Sequence, residues 1–255
     1  MTNLKNKHIL VFAATGAIAK QAAQQFAAEG AHVYLSGRDA GRVEAIANDI
    51  RNAGGQASAD VVDATNADAV SAYVARIAAQ AGQIDGVFNG IGGRPVELGY
   101  PQVSAMTSLN DFMIPFEVIV ASQFLTAREA AKFMKPGASV LFLSASLSRM
   151  TAPFMAGISA AQGAIEALTR ALAGEYGQAG IRVNCVRGSG MYETRTIQET
   201  GAAYAAMGLT VPMSLPPLGH PISVADTVKT ATYLLSDLSS GLTGQVVDVS
   251  AGLFV

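Results

Sequence analysis

Short apolar runs alternate along the chain with longer stretches of helical spacing. His8 to Ala14 is a brief run rich in β-formers, and Gly16 to Glu29 then sets its small residues and Phe26 on one helical face. Ala31 to Ser36 reads as a second strand, and a polar helix opens at Arg38 and runs to about Ala53. A third strand is predicted near Ala57 to Val62, a helix from Asn66 to Gln80, and a fourth strand from Ile84 to Asn89. Strands that are apolar throughout, separated by amphipathic helices, fit a parallel sheet covered on both faces, where every strand meets protein above and below.

After Gly92-Gly93 the rhythm changes. Arg94 to Ser108 is a loop with Pro95 and Pro101, followed by a long helix from about Asp111 to Met134 that tolerates Pro115 only near its start. Ala138 to Ser144 is the fifth strand, Met155 to Tyr176 a second long helix rich in alanine, and Ile181 to Val186 the sixth strand. Residues 187–218 carry several prolines and glycines and read as a flap with one helix near Thr200 to Met207. A helix from Val224 to Leu235 and a strand from Gln245 to Val249 follow. No linker, repeat or low-complexity tract interrupts residues 1–255, so the pattern predicts a single α/β domain, a doubly wound parallel seven-stranded sheet of the Rossmann type.

Composition narrows the choices. Half of the residues are hydrophobic and only 14% are charged, against about a quarter in ordinary domains, which excludes a disordered chain and implies that another subunit covers part of the surface. A net charge of -2 gives no footprint for nucleic acid or an anionic membrane. The one cysteine, Cys185, cannot form an internal disulfide, and three scattered histidines make no zinc pattern. Lys5 and Lys7 precede an apolar run, Ile9 to Ala14, that is too short for a secretory segment, and no run approaches the ~18 apolar residues of a membrane span. A soluble, cytoplasmic protein is the expectation.

Several segments together resemble the short-chain dehydrogenase/reductase family across essentially the whole chain. "DGVFNGIGG" at 85–93 sits where that family has D-x-V-N-N-A-G, "VVDATNADAV" at 61–70 is similar to the acidic end of its third strand, "GIRVNCV" at 180–186 to its sixth strand, and "GLTGQVVDVSAG" at 241–252 to its last strand and turn. The resemblance implies sheet order 3-2-1-4-5-6-7. It also implies a homo- or hetero-oligomer, a dimer or tetramer packed through the helices at about 111–134 and 155–177, and an NAD(P)-dependent oxidoreductase site.

The site itself departs from the family pattern. The family's phosphate loop, T-G-x3-G-x-G, aligns within Val11 to Ala19, and its three glycine positions hold Ala13, Ala17 and Ala19. Ala17 places a Cβ where backbone would approach phosphate, and a positive φ there would be strained, with Gly16 one residue early as partial compensation. Weakened or absent NADP(H) binding is the expectation. What remains of the resemblance assigns cofactor contacts to Thr15, Gly16 and Ile18 in the loop, Arg38 for a 2′-phosphate, Asp63 for the adenine amino group, Asn89 in the turn after strand four, and Thr194 for the nicotinamide amide. Read alone, Arg38 is equally a solvated charge, Asp63 a helix cap and Asn89 a turn residue.

The family's catalytic tyrosine, and the lysine four residues on that lowers its pKa, correspond here to Ile158 and Gln162. None of the seven tyrosines has a lysine four residues after it. The active-site serine position is Ala145, flanked by Ser144 and Ser146, and the asparagine of the long helix falls near Ile119, in an apolar run. Arg94 and Arg187, after strands four and six, are candidate anion-binding groups or plain surface charges, and Tyr192 and Glu193 are candidates for acid–base work. Cys185 reads as a small core hydrophobe. Three functions stay open: a pseudo-enzyme subunit or binding module, an atypical NADP(H)-dependent oxidoreductase of a carbonyl or alcohol, and a non-redox lyase, dehydratase or cyclase using the same cleft. A small-molecule ligand is expected, and nucleic acid, membrane and metal are not.

Overall fold

The structure, a computed structural model, describes residues 3–210 and 215–254. Seven parallel strands, β1 (His8–Phe12), β2 (His32–Gly37), β3 (Gln56–Val61), β4 (Ile84–Asn89), β5 (Met134–Ala145), β6 (Arg182–Gly188) and β7 (Val246–Val249), form one sheet in the order β3-β2-β1-β4-β5-β6-β7. Strand order reverses between β1 and β4, which leaves a crevice at their carboxyl ends. Side-chain alternation builds a core on each face. Ile9 and Val11 of β1 meet helices α1 (Ala17–Ala28), α2 (Ala40–Asn52) and α8 (Val224–Leu235), where Phe26 packs edge-on against Phe88. Leu10 and Phe12 point the other way, toward Val70, Tyr73 and Ile77 of α3 (Ala67–Ala81). Farther along that second face, α6 (Ala156–Tyr176) covers β5 and β6 through Ile158, Ile165 and Leu172.

Three elements differ from the pattern-based expectation. The long helix before β5 is two helices, α4 (Leu109–Pro115) and α5 (Ala121–Ala131), joined by a π turn over Phe116–Val120. Proline has no N–H to place in an α-helical ladder, and the widened turn begins directly after Pro115. Strand β5 starts at Met134 rather than near 138, because Met134 already pairs with Ile84 across a register shift that the Lys135-Pro136-Gly137 run hides from an apolar scan. The flap helix, α7 (Arg195–Ala206), begins about a turn earlier than the spacing of its few apolar residues indicates. Residues 211–214 of the flap lie outside the described residues.

At the amino end of the sheet, His8, His32 and Tyr34 share one face. His8 Nδ1 lies 3.0 Å from the Tyr34 hydroxyl, the His32 ring stacks on Tyr34, and His32 Nε2 lies 3.1 Å from Ser58 Oγ. Burial and the neighbouring His8 hold the His32 pKa below the usual imidazole value. Both histidines stand at the first position of their strands. On the outer flank, Leu109, Met113 and Phe124 of α4 and α5 are exposed. No helix among the described residues is long and apolar enough to cross a membrane.

Candidate functional site

The loop from β1 into α1 turns through Ala13 to Gly16, closed by the Gly16 N–H donating to the Ala13 carbonyl at 2.9 Å. Its strained residue is not the one the sequence points to. Ala13 has φ 54, the left-handed region that disfavours any Cβ, whereas Ala17 is the first residue of α1 and is not among the positive-φ positions. Gly16 is extended at φ -73, so its backbone needs no glycine. Because Gly16 has no side chain, α1 lacks the side-chain cap that Asp39, Asn66, Ser108 and Ser223 give to α2, α3, α4 and α8. The first N–H groups of α1 therefore face the crevice without an acceptor from a capping side chain.

Ala19, the third alanine of this loop, is matched by a glycine across the crevice. A Cβ built on Gly90 would sit 2.7 Å from Ala19 Cβ and 3.4 Å from the Phe12 carbonyl oxygen. The methyl group gained at 19 occupies space that Gly90 leaves open, and α1 keeps its close approach to the end of β4. Ile18 is half-buried against the core, and Thr15 is half-exposed.

Arg38 and Asp63 come together at the ends of β2 and β3. Arg38 is exposed, directly after Gly37, with no hydrogen bond or ion pair to another described residue, and its charge acts on both Asp63 and Glu97. Asp63 is not a helix cap; Asn66 caps α3. Instead Asp63 Oδ1 accepts from the Thr65 hydroxyl at 2.7 Å and the Thr65 N–H at 3.0 Å, bonds that hold its pKa below the ordinary carboxylate range, with Arg38 adding to the effect. Asn89 is fully buried. Its Nδ2 donates to Thr126 Oγ1 and the Ser122 carbonyl, and its Oδ1 accepts from the Ile91 N–H, so it ties the turn after β4 to α5. Thr194 is also buried and donates its hydroxyl to the Met191 carbonyl at 2.7 Å.

Where the family resemblance places a tyrosine and a lysine, the surroundings are apolar. Ile158 is 1% exposed and shares a cluster with Leu98, Ile119, Met155 and Tyr204. Gln162, 2% exposed, donates from Nε2 to the Gly92 carbonyl at 3.3 Å, and its Oε1 is buried with no hydrogen-bond partner among the described residues. An unpaired buried acceptor is costly, and it marks the point at which an incoming donor would be stabilised most. Sequence reasoning missed Gln123, four residues beyond Ile119: its fully buried amide donates to the Leu143 carbonyl at 2.9 Å and reaches the Ile91 carbonyl, joining β5 to the turn after β4. The cluster of polar residues Ser122, Gln123, Thr126 and Glu129 at helical spacing was the available signal.

The remaining candidates are already engaged. Arg187 Nε donates to Asp248 at 2.6 Å and Nη1 to Glu166 at 3.0 Å, so it is the centre of a buried triad rather than an open anion site. Ser144 and Ser148 donate to Glu166 Oε1, and the Ser146 hydroxyl meets only the Met150 sulfur among the described residues. Arg94 pairs with Glu97 and, through Nη1, with both oxygens of Glu199 on α7 at 2.8 and 2.9 Å. Glu193 accepts from the N–H of Val224, the first residue of α8, at 2.6 Å. Cys185 is fully buried, and burial pushes its thiol pKa up to about 12. No group of three or more His, Cys, Asp or Glu side chains that could hold a metal occurs among the described residues.

The sequence model of a family described as Enoyl-(Acyl carrier protein) reductase matches residues 13–254. Among curated proteins, the Enoyl-(acyl-carrier-protein) reductase (NADH) 2 of Rhizobium meliloti is 31% identical, with 99% of this chain and 92% of that protein covered. An uncharacterized oxidoreductase of Bacillus subtilis, YxbG, is 30% identical over 99% of this chain and 93% of its own length. Among solved structures, a putative short-chain dehydrogenase/reductase from Burkholderia xenovorans superposes with a TM-score of 0.88 over 99% of this chain and 98% of that one, at 24% identity.

Proposed function

The chain belongs to the short-chain dehydrogenase/reductase family, and from that premise we propose that it is a member without tyrosine–lysine hydride-transfer chemistry, a pseudo-enzyme subunit or binding module with a weakened NADP(H) site. The observation that carries this reading is Ile158, sealed among Leu98, Ile119 and Met155 where a phenol would have to meet substrate. An aliphatic side chain has no proton to exchange, and the neutral amide of Gln162 supplies no charge to shift the pKa of one.

The residues present fit a dinucleotide better at its adenosine end. Arg38 is free to pair with a 2′-phosphate, Asp63 keeps one carboxylate oxygen clear of Thr65, and the uncapped first turn of α1 offers N–H groups to a pyrophosphate. Thr15, Gly16 and Ile18 line that turn, Asn89 holds the facing one, and Thr194 stands at the start of α7. The orphaned Oε1 of Gln162 is suited to accept from a ribose hydroxyl. NADP(H), when bound, supplies or takes up a hydride; this chain's residues bind and orient it but place no phenol–ammonium pair beside the reacting carbon. The alanines at 13, 17 and 19 argue for low affinity. The exposed Leu109, Met113 and Phe124 support an oligomer packed through the helices around 111–134 and 155–177. A cytoplasmic location fits the single sealed thiol.

A second reading is favoured by Ser146, whose hydroxyl has no stronger partner than a thioether: an NADP(H)-dependent oxidoreductase with an unorthodox proton donor. The test separates the two. Protein shown by native mass spectrometry to be homomeric is titrated with NADPH and NADH by calorimetry, and NADPH consumption is followed with ketones, aldehydes and enoyl thioesters. Weak binding that prefers NADPH, is lost in Arg38→Ala and produces no turnover supports the first reading. Turnover by the homomeric protein overturns it.

A further inference from the structure

Strand pairing brings together two histidines that the chain keeps on separate strands. His8 and His32 are direct register partners on β1 and β2, at the amino end of the sheet. Their rings lie 5.9 Å apart, centroid to centroid. The hydroxyl of buried Tyr34 sits between them, 3.0 Å from His8 Nδ1 and 3.4 Å from His32 Nδ1. A phenol has one proton, so it can donate to only one of these two nitrogens. Outer contacts orient the pair: His32 Nε2 lies 3.1 Å from Ser58 Oγ, and Asp85 accepts from the His8 backbone N–H at 2.8 Å. With Nε2–H on Ser58, Nδ1 is the bare nitrogen of His32, the arrangement in which an imidazole binds metal.

We infer that His8 Nδ1, His32 Nδ1 and the Tyr34 oxygen form a site for a borderline divalent transition metal, Zn(II) or Cu(II), that clamps β1 to β2. The spacing carries the inference. Metal–donor bonds of about 2.05 Å set neighbouring donors about 2.9 Å apart at a right angle and about 3.3 Å apart at the tetrahedral angle. The two gaps to the phenol oxygen, 3.0 and 3.4 Å, lie close to those values. Two imidazoles and one phenolate suit zinc or copper, whereas magnesium and calcium call for a shell of oxygens. Tyr34 gives its proton to solvent as its oxygen takes up the metal. The main rearrangement is at His32, whose ring leaves its 4.3 Å stack on Tyr34 to point Nδ1 inward; both imidazoles are only half-buried, which leaves them room to turn. Strand β1 runs from His8 to Phe12, so about 13 Å separates this cluster from the crevice end of the sheet. Metal and nucleotide therefore bind independently.

Calorimetry on the full-length protein, freed of metal with EDTA and held at one pH, tests the site with ZnCl2 and CuCl2. One equivalent of zinc should bind in the micromolar range, and His8→Gln and His32→Gln should each weaken it by about tenfold or more. Copper should produce a phenolate-to-copper charge-transfer band that disappears in Tyr34→Phe. The fold should tolerate that substitution, because Tyr73 bonds the Tyr34 backbone carbonyl and not its hydroxyl. Thermal melts give a result that depends on no variant: excess zinc should raise the Tm of the native protein, as any ligand of the folded state alone does. Saturating NADPH should leave the zinc affinity unchanged. Zinc that neither binds nor raises the Tm, binding that survives both histidine substitutions, or a copper spectrum indifferent to Tyr34→Phe would each overturn the site. The second of these results is also what a metal held at His220 or at the chain's amino group would give. A zinc affinity that moves with NADPH would overturn its independence from the crevice.

Discussion

Replacing Arg187 by methionine is the sharpest test of how the layer beneath the crevice is held. Ser144, Arg187 and Asp248 lie side by side on β5, β6 and β7, and Glu166 of α6 closes over them. The side chains of Arg187, Glu166 and Asp248 are only 7%, 12% and 18% exposed, so water can replace little of what the guanidinium supplies. Arg187→Met keeps much of the volume but leaves two carboxylates close together in a poorly hydrated layer. Glu166 retains donors from Ser144 and Ser148; Asp248 loses the Arg187 bond and already has its Oδ1 buried without a partner. Removing one member of such a buried set costs about 3–5 kcal/mol. For a chain of this size that corresponds to a fall in Tm of roughly 6–20 °C. Urea denaturation near neutral pH measures it. The variant E166Q/R187M/D248N, which removes the charges together, should recover most of the loss. The reasoning fails if R187M costs less than about 1 kcal/mol, the range of an exposed pair, or if the triple variant is no better than the single one.

Other outcomes follow from the same geometry. Gly90→Ala should cost about 1–3 kcal/mol through the clash with Ala19 Cβ, and adding Ala19→Gly should return most of it; thermal melts of the pair and both singles show whether the two positions share one space. His32 has a folded pKa below its unfolded one, so its contribution to stability is complete above about pH 6.5 and is lost as the pH falls toward the folded value; the acid-side slope of Tm should flatten in His32→Gln, and an unchanged slope assigns the loss elsewhere. Ala17→Gly removes the exposed Cβ at the start of α1 and should lower the Kd for NADPH measured by calorimetry, whereas an unchanged Kd moves the obstruction to Ala13. Installing I158Y/Q162K should bring NADPH-dependent carbonyl reduction above that of the parent protein, and continued silence would mean that more than the missing pair stands in the way.

The alternation of apolar runs and helical spacing was enough to place all seven strands, because each is marked by its own local run of β-forming residues between helical stretches. It failed where pairing overrides local character, as at Met134, or where one backbone atom is missing, as at Pro115. Within the site, Arg38 and Asp63 were legible because they follow strand ends directly. The triad of Glu166, Arg187 and Asp248 was not, since its members lie 21 and 61 residues apart and each alone reads as an ordinary charge. The strain at Ala13 escaped notice for a related reason: sequence shows that a glycine is absent, and only the backbone shows which position is forced to a positive φ.

The sealed thiol at Cys185 has a practical consequence. With the chain's one sulfhydryl fully enclosed and its ionisation suppressed, maleimide reagents have no native site to attack in the folded state. A cysteine introduced at Gln198, on the exposed side of α7, would carry a dye alone, without the usual need to strip out competing positions. The absence of tryptophan leaves the background equally dark, so one tryptophan engineered beside that dye would report on this helix alone.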